Sequence, residues 1–390
     1  MKSWLDIFKE ELKLIFQDKS ILLTCFVAPF LYAFFVGSIY KEKEVLQIPI
    51  AIVDYDHSAL SRKVSSLVDT NQKVKINGHF SSLENAMHLF NNLEVQGVLI
   101  IPKHFQKNTL NLNGATVELV LNNTKFLTSN EINKGVQQVM LTISGGVQMQ
   151  YFISNKIPIA IAKQKAQPIL PVIKSVYNAT NNYGDFLLPI LLILILQQTL
   201  IIGFGQSAVH ELKHGVLTQP NTYSFFNFIK VFSAKSFYYL VLYTIYFFVF
   251  YTLIFPYYFL SIKGSLFLHI LLSSIFIIVV MEYTILFASF FKTTIGWTEI
   301  LAFSTYPLFL VSGYSWPVEA MPKLLQGFAN LLPSTPFYRV FSKLSAEGAS
   351  FSNIHKEFIH LLLLVVLGYV LLFIRYQYLR YKSIKLITKP

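Results

Sequence analysis

ILLTCFVAPFLYAFFVGSIY, residues 21–40, is a run of 20 residues without a charge. A helix of that length crosses a hydrocarbon core of about 30 Å. A cleavable signal peptide has a shorter apolar core and a small-residue cleavage site, to which Gly37-Ser38-Ile39-Tyr40 is a poor match. The run therefore reads as an uncleaved anchor and as transmembrane helix 1. Five further apolar runs follow, at 186–205, 237–260, 265–291, 297–313 and 358–374, which makes six spans. The composition agrees: of 390 residues 54% are apolar and 13% are charged, against about 25% charged in a soluble protein. With 36 Phe and 22 Tyr, the aromatic content suits bilayer interfaces and lipid-facing helices. A purely soluble enzyme does not fit.

Residues 1–20 read as a cytoplasmic interfacial amphipathic helix. Trp4, Phe8, Leu12, Ile15 and Phe16 recur at helical spacing, with Lys9, Glu10, Lys13 and Gln17 opposite. Packing on a protein partner is the other reading of that stripe. Over residues 41–183 charges and turn residues return. Strand-like runs at 48–53, 74–76, 98–101 and 117–121 are interleaved with helical patterns to about 68 and over 82–90, and a long helical stretch follows at 128–156. That alternation predicts an inserted α/β domain. Residues 184–390 then carry the other five spans, with a cytoplasmic coupling loop at 206–236. Repeated proline over 315–337 predicts a re-entrant hairpin. The expected fold is thus a polytopic α-helical membrane protein with six transmembrane helices, a re-entrant outer hairpin and an inserted extracytoplasmic α/β domain.

Six spans put both ends on one side of the membrane. The tail carries Arg375, Arg380, Lys382, Lys385 and Lys389 and no acid, so the positive-inside rule places both termini in the cytoplasm and residues 41–183 outside. The net charge of +12 is read as this membrane asymmetry and not as a nucleic-acid surface.

Enzyme signals are close to nil. There is no Gly-Lys dipeptide and hence no P-loop, and G-x-S-x-G does not occur; His210-Glu211-Leu212-Lys213-His214 has the letters of H-E-x-x-H, a single short match in a charged stretch. The single cysteine, Cys25, excludes an intrachain disulfide and a Cys-based zinc site. Asp54, Asp56 and His57 are ligand-type residues, but Asp56 or Ser58 is better placed to cap the following helix, so no metal site is assigned. Within the spans, Gln197, Gln198, His269, Glu282 and Glu299 are costly in lipid and call for a cavity or a partner. Glu282 fits either the polar lining of a path or a proton-coupled gate on the one hand, or a structural hydrogen bond between helices on the other. Residues 209–215, VHELKHG, form a short charged stretch that Gly215 would stop.

Together these features resemble the ABC-2 type transporter permeases, specifically the multidrug-exporter-like branch with a large extracytoplasmic domain between the first two spans. The resemblance rests on Lys9-Glu10 and Pro29, on the 52–62 stretch IVDYDHSALSR, on Val98 to Pro102 with Phe105, and on Ser312-Gly313-Tyr314-Ser315-Trp316-Pro317, Met321-Pro322 and Leu332-Pro333. It implies the permease subunit of an ATP-driven exporter moving an amphiphilic or hydrophobic substrate, without an ATPase site of its own. ATP and Mg would belong to a cytoplasmic ABC ATPase partner. The permease would dimerise with a second copy or paralogue, in a bacterial plasma (inner) membrane, with a periplasmic adaptor and outer-membrane channel beyond it where the cell has an outer membrane. His210, Glu211, Lys213, His214 and Gly215 match the ATPase-coupling stretch, although the family's first Arg and its Thr are replaced. By analogy Gln197, Gln198, Phe303, Tyr306 and Phe309, with Glu282, line the substrate path. Gly313, Trp316, Pro317, Met321 and Pro322 form the outer gate. The alternative is a non-transporting receptor or assembly scaffold that binds through the outer domain.

Overall fold

The computed structural model describes residues 3–166, 176–178, 182–214 and 225–387. It divides into two compact units, Met1–Lys41 with Ser175–Pro390, and Glu42–Lys174.

In the first unit, α1 (Trp4–Gln17) opens on a capping box. The Ser3 hydroxyl accepts from the Asp6 N–H at 3.1 Å, and the Asp6 carboxylate accepts from the Ser3 N–H at 2.9 Å. Asp18 ends the helix and starts α2 (Lys19–Leu22) by accepting from the Ser20 and Ile21 N–H groups. A π-turn at Leu23–Val27 leads into α3 (Ala28–Ile39), with the Ala28 N–H donating to the Leu23 carbonyl. Pro29 cannot donate and its ring crowds the preceding turn, so the wider turn just before it absorbs the defect without ending the span. The expected interfacial helix is not a free one. Ile7, Glu11 and Ile15 form its buried face, while Phe16, expected on the apolar side, is exposed.

The second unit is built on β1 (Ile48–Asp54), α4 (Ala59–Asp69), β2 (Val74–Phe80), α5 (Leu83–Asn91), β3 (Gly97–Ile101), α6 (Phe105–Leu110), β4 (Glu118–Leu121), α7 (Phe126–Ser154) and α8 (Ile159–Ala166). The sheet order is β2-β1-β3-β4, with β1 parallel to both neighbours and β4 antiparallel to β3. As the inner parallel strand, β1 is apolar on both faces. Ile48, Ile50 and Ile52 meet Val64 and Val68 of α4 and Ile132 and Val136 of α7, while Ala51 and Val53 meet Ala86 of α5. Ser58 caps α4 by accepting from the Ser61 N–H at 3.0 Å. Asp56 instead serves α6, a helix absent from the sequence reading, by accepting from the Gln106 N–H at 3.0 Å. Asp54 accepts from the Ser61 hydroxyl at 2.6 Å, so these two carboxylates brace loops.

On α7, Glu131 is buried and pairs with Lys73 and with Lys134, the latter at 2.8 Å. Burial pushes its carboxyl up, and the two ammonium groups outweigh that and hold it below the usual carboxylate range. A depressed carboxyl contributes stability above the ordinary carboxylate range and loses it as pH falls through the depressed value. Glu131→Gln is therefore expected to speed amide exchange in β2 and α7 at pH 7, and to match the parent chain at acid pH. Hydrogen exchange with mass spectrometry on the full chain checks this, and equal protection at pH 7 would refute it.

The rest of the first unit comprises α9 (Tyr183–His214), α10 (Phe225–Val249), α11 (Phe255–Tyr257), α12 (Leu266–Ala288), α13 (Thr294–Val311), α14 (Lys323–Leu331), α15 (Ser334–Ser342) and α16 (Phe351–Ile387). A second π-turn, Phe250–Ile254, again lies two residues before a proline, Pro256. The coupling loop expected at 206–236 is largely helical: α9 runs on to His214 and α10 begins at Phe225, because a helix follows its hydrogen-bond ladder past the point where apolarity stops.

Five helices among the described residues, not six, are long and apolar enough to cross a membrane: Lys19–Ile39, Tyr183–Glu211, Phe228–Tyr257, Leu266–Ala288 and Phe351–Leu379. The difference is α13, whose Thr298, Glu299, Ser304 and Thr305 dilute its apolar character. In the proline-rich 315–337 region, Pro317, Pro322 and Pro333 stand immediately before short helices. At nine residues, or about 14 Å, α14 and α15 are each too short to span.

Close helix packing here depends on missing side chains. A Cβ at Gly205 of α9 would lie 2.1 Å from the Trp297 indole nitrogen of α13, which donates to the Ile201 carbonyl at 3.3 Å. Gly205→Leu is expected to destabilise the folded chain by at least about 1–3 kcal/mol. Gly327→Ala, where the added carbon meets nothing, should be neutral or stabilising. Thermal unfolding of both variants in detergent separates the two, and equal midpoints would count against this packing.

Candidate functional site

Three helices of the first unit meet at a buried charge cluster. Lys235 of α10 places its Nζ 2.7 Å from Glu11 Oε2 of α1 and 2.8 Å from Glu211 Oε2 of α9. The Ser207 hydroxyl also donates to Glu11, and so does the Tyr239 hydroxyl, at 3.3 Å. Ser207 and Glu211 are one helical turn apart on α9, as Lys235 and Tyr239 are on α10, so each helix presents two polar groups on one face. Around the cluster, Trp4 donates from its indole to the Ser233 hydroxyl at 3.2 Å and packs edge-on against Phe237. Each charge has lost its water and is compensated only by its neighbours, so the three helices are held together by what separation would leave unpaired.

This arrangement revises the predicted coupling stretch. Glu211 is turned inward, its side chain 12% exposed, while His210 is exposed beside it. Lys213 and His214 end α9 with side chains outside the described residues, and Gly215 also lies outside them. Sequence reading missed Glu11, Ser207, Lys235 and Tyr239. For Glu11 a signal existed: it lies on the four-residue period of Ile7 and Ile15, a position an acid occupies only with a partner.

A second feature is a cavity of about 470 Å³ walled by α9, α12, α13, α14 and α16. Gln197, from the predicted path, lines it and accepts from the Tyr338 hydroxyl at 2.9 Å. Gln198 turns to α13, where it accepts from the Thr305 hydroxyl at 3.0 Å. The three predicted aromatic residues do not act together. Phe303 and Tyr306 are 79% and 68% exposed on the outside of α13, whereas Phe309, at 7%, belongs to the helical core. Glu282 of α12 is fully buried, and neither carboxyl oxygen makes a hydrogen bond among the described residues. It fills a notch at Gly368 of α16, where a Cβ would clash with its carboxyl oxygen. His269, with its ring nitrogen 3.0 Å from the Ser265 carbonyl, is a core residue, and Glu299 is exposed.

The predicted gate residues cluster in the turn after α13. Gly313 has φ of +88°, and a Cβ there would lie 2.4 Å from the Val318 side chain, so only glycine fits. Tyr314 stacks on Phe186 of α9 at 4.9 Å and donates to its carbonyl. Trp316, Pro317 and Pro322 are exposed, and Met321 is half-buried.

Long apolar helices, a buried charge cluster joining α1, α9 and α10, and an apolar cavity between helices define a multi-pass membrane protein of the transport type. The family model described as ABC-2 family transporter protein matches residues 19–375, and the chain belongs to that family. No curated protein matches the chain. Membership supports a membrane subunit of a transporter rather than an enzyme.

Removing the shared cation tests the cluster. Lys235→Met leaves two buried carboxylates facing each other and is expected to cost about 3–5 kcal/mol. Adding Glu11→Gln to Lys235→Met should recover part of that loss. Thermal unfolding of the full chain in detergent reads both, and a single variant as stable as the parent would show the network to be unimportant.

Proposed function

We propose that the chain is the permease subunit of an ATP-driven exporter that moves an amphiphilic or hydrophobic substrate out of the cytoplasm or the inner leaflet. The observation that carries this reading is the Glu11–Lys235–Glu211 network. A push on the end of α9 by a cytoplasmic ABC ATPase, which binds ATP and Mg, would otherwise move one helix alone. Breaking the network strands buried charge at about 3–5 kcal/mol, so α1, α9 and α10 move as one body. Exposed His210 and the stretch through Gly215 are the surface offered to the ATPase, with Glu211 transmitting the load inward.

In this reading α13 is the sixth span. Its 18 residues extend about 27 Å, and its polar residues are tolerated because Gln206 and Gln198 of α9 take up Thr298 and Thr305. Both termini then lie in the cytoplasm of the bacterial inner membrane, and residues 41–183 lie outside, where a periplasmic adaptor would engage them. Phe303 and Tyr306 face a second permease copy or paralogue and line the path between the two, and the Gly313–Pro322 turn is its outer gate.

Three measurements test the proposal. A mild-detergent pull-down of the tagged full chain from native membranes, read by mass spectrometry, is expected to recover a P-loop ATPase. Lys235→Met should stop export while the partner still hydrolyses ATP. Failure to recover an ATPase under conditions that keep a control exporter intact would sink the exporter reading. For topology, Ser3→Cys and Thr388→Cys in a Cys25→Ala chain should both react with an impermeant maleimide only after permeabilisation; labelling of one end alone from outside would remove α13 from the membrane.

A further inference from the structure

None of the residues lining the cavity between α9, α12, α13, α14 and α16 is Asp, Glu, Lys, Arg or His. Three of its polar side chains are spent on the protein itself, while the buried Tyr283 hydroxyl has no hydrogen-bond partner among the described residues. Thr284 donates to the Val280 carbonyl at 2.7 Å, Ser304 reaches the Leu301 carbonyl at 3.4 Å, and the Gln197 oxygen accepts from Tyr338. A charged ligand would lose its water there and meet no counter-charge, so the wall selects hydrocarbon.

Shape narrows the choice. The lining residues of α13 run from Trp297 to Leu308, so the cavity extends about 17 Å along the helix axis. A cavity of about 470 Å³ drawn out over that length is longer than it is wide, the shape of an extended hydrocarbon chain. At its rim Phe287, Ile300, Phe328 and Leu331 are exposed, so the slot opens between apolar side chains, at a surface suited to lipid.

We infer that this slot holds a single acyl chain of a lipid or lipid-like amphiphile, with the headgroup left outside. Chain binding stands on the cavity alone; that the chain belongs to exported cargo rests on the exporter reading.

The test uses the full chain in detergent with palmitic acid bearing a diazirine on its chain, photolysed and mapped by mass spectrometry. No ATP or ATPase is present, so a negative result here and a failure of export are separate outcomes. Adducts are expected on Leu301, Ser304 or Leu367, displaced by excess unlabelled palmitic acid. Displacement by phosphatidylcholine as well assigns the chain to a bilayer phospholipid, and displacement by the free acid alone assigns it to a single-chain amphiphile. Ser304→Phe from one wall and Leu367→Trp from the other fill the slot, and each is expected to cut labelling about tenfold. An unchanged unfolding midpoint certifies each filled variant as folded. Adducts confined to Phe303 and Tyr306, labelling unchanged in both filled variants, or equal displacement by a sterol would overturn the inference.

Discussion

Lys235 lies between two carboxylates in a place where water cannot help any of the three. The bilayer offers nothing to a charge, so a polytopic chain must either keep its ionised groups out of the helix bundle or match them to one another. Here the match joins α9 and α10, which follow one another, to α1, whose Glu11 is 224 positions from Lys235. Much else follows. A helix whose amphipathic stripe would suit a membrane surface is docked on α10 through Glu11, Ile7 and Trp4. The polar end of α9 stays helical through Glu211 because its side chains are used inward.

The same lack of water governs the backbone. Of the three prolines inside membrane-length helices among the described residues, Pro189 lies near the start of α9, and at the other two, Pro29 and Pro256, a π-turn ends two residues earlier. A wide turn lets the chain pass a residue that cannot donate while leaving few carbonyls in lipid. Glycines then set how closely the helices approach: Gly205 admits the Trp297 indole, and Gly368 admits the buried Glu282 carboxyl.

Several residues read as a path from their type alone separate once the helices are packed. Phe303 and Tyr306 share one face of α13 and Phe309 lies on another, because successive residues turn by about 100° and a three-residue spacing drifts around the helix. Gln197 and Gln198, adjacent in sequence, bond to different helices. Glu11 is hidden for the opposite reason: it stands beside Lys9, Glu10 and Lys13, where an acid looks like a solvated charge, and only its partner on α10 distinguishes it.

Composition and periodicity were enough to establish a multi-pass membrane protein, its first span and the alternation of strands and helices over residues 48–121, since each depends on side-chain chemistry repeated along one segment; the family resemblance rested on particular motifs. Tertiary structure alone decided which charges are paired, where the apolar cavity lies and which face of α13 is buried. Those outcomes depend on residues from different helices, often far apart in sequence, meeting across helix interfaces, and no local pattern encodes the rotation of one helix against another.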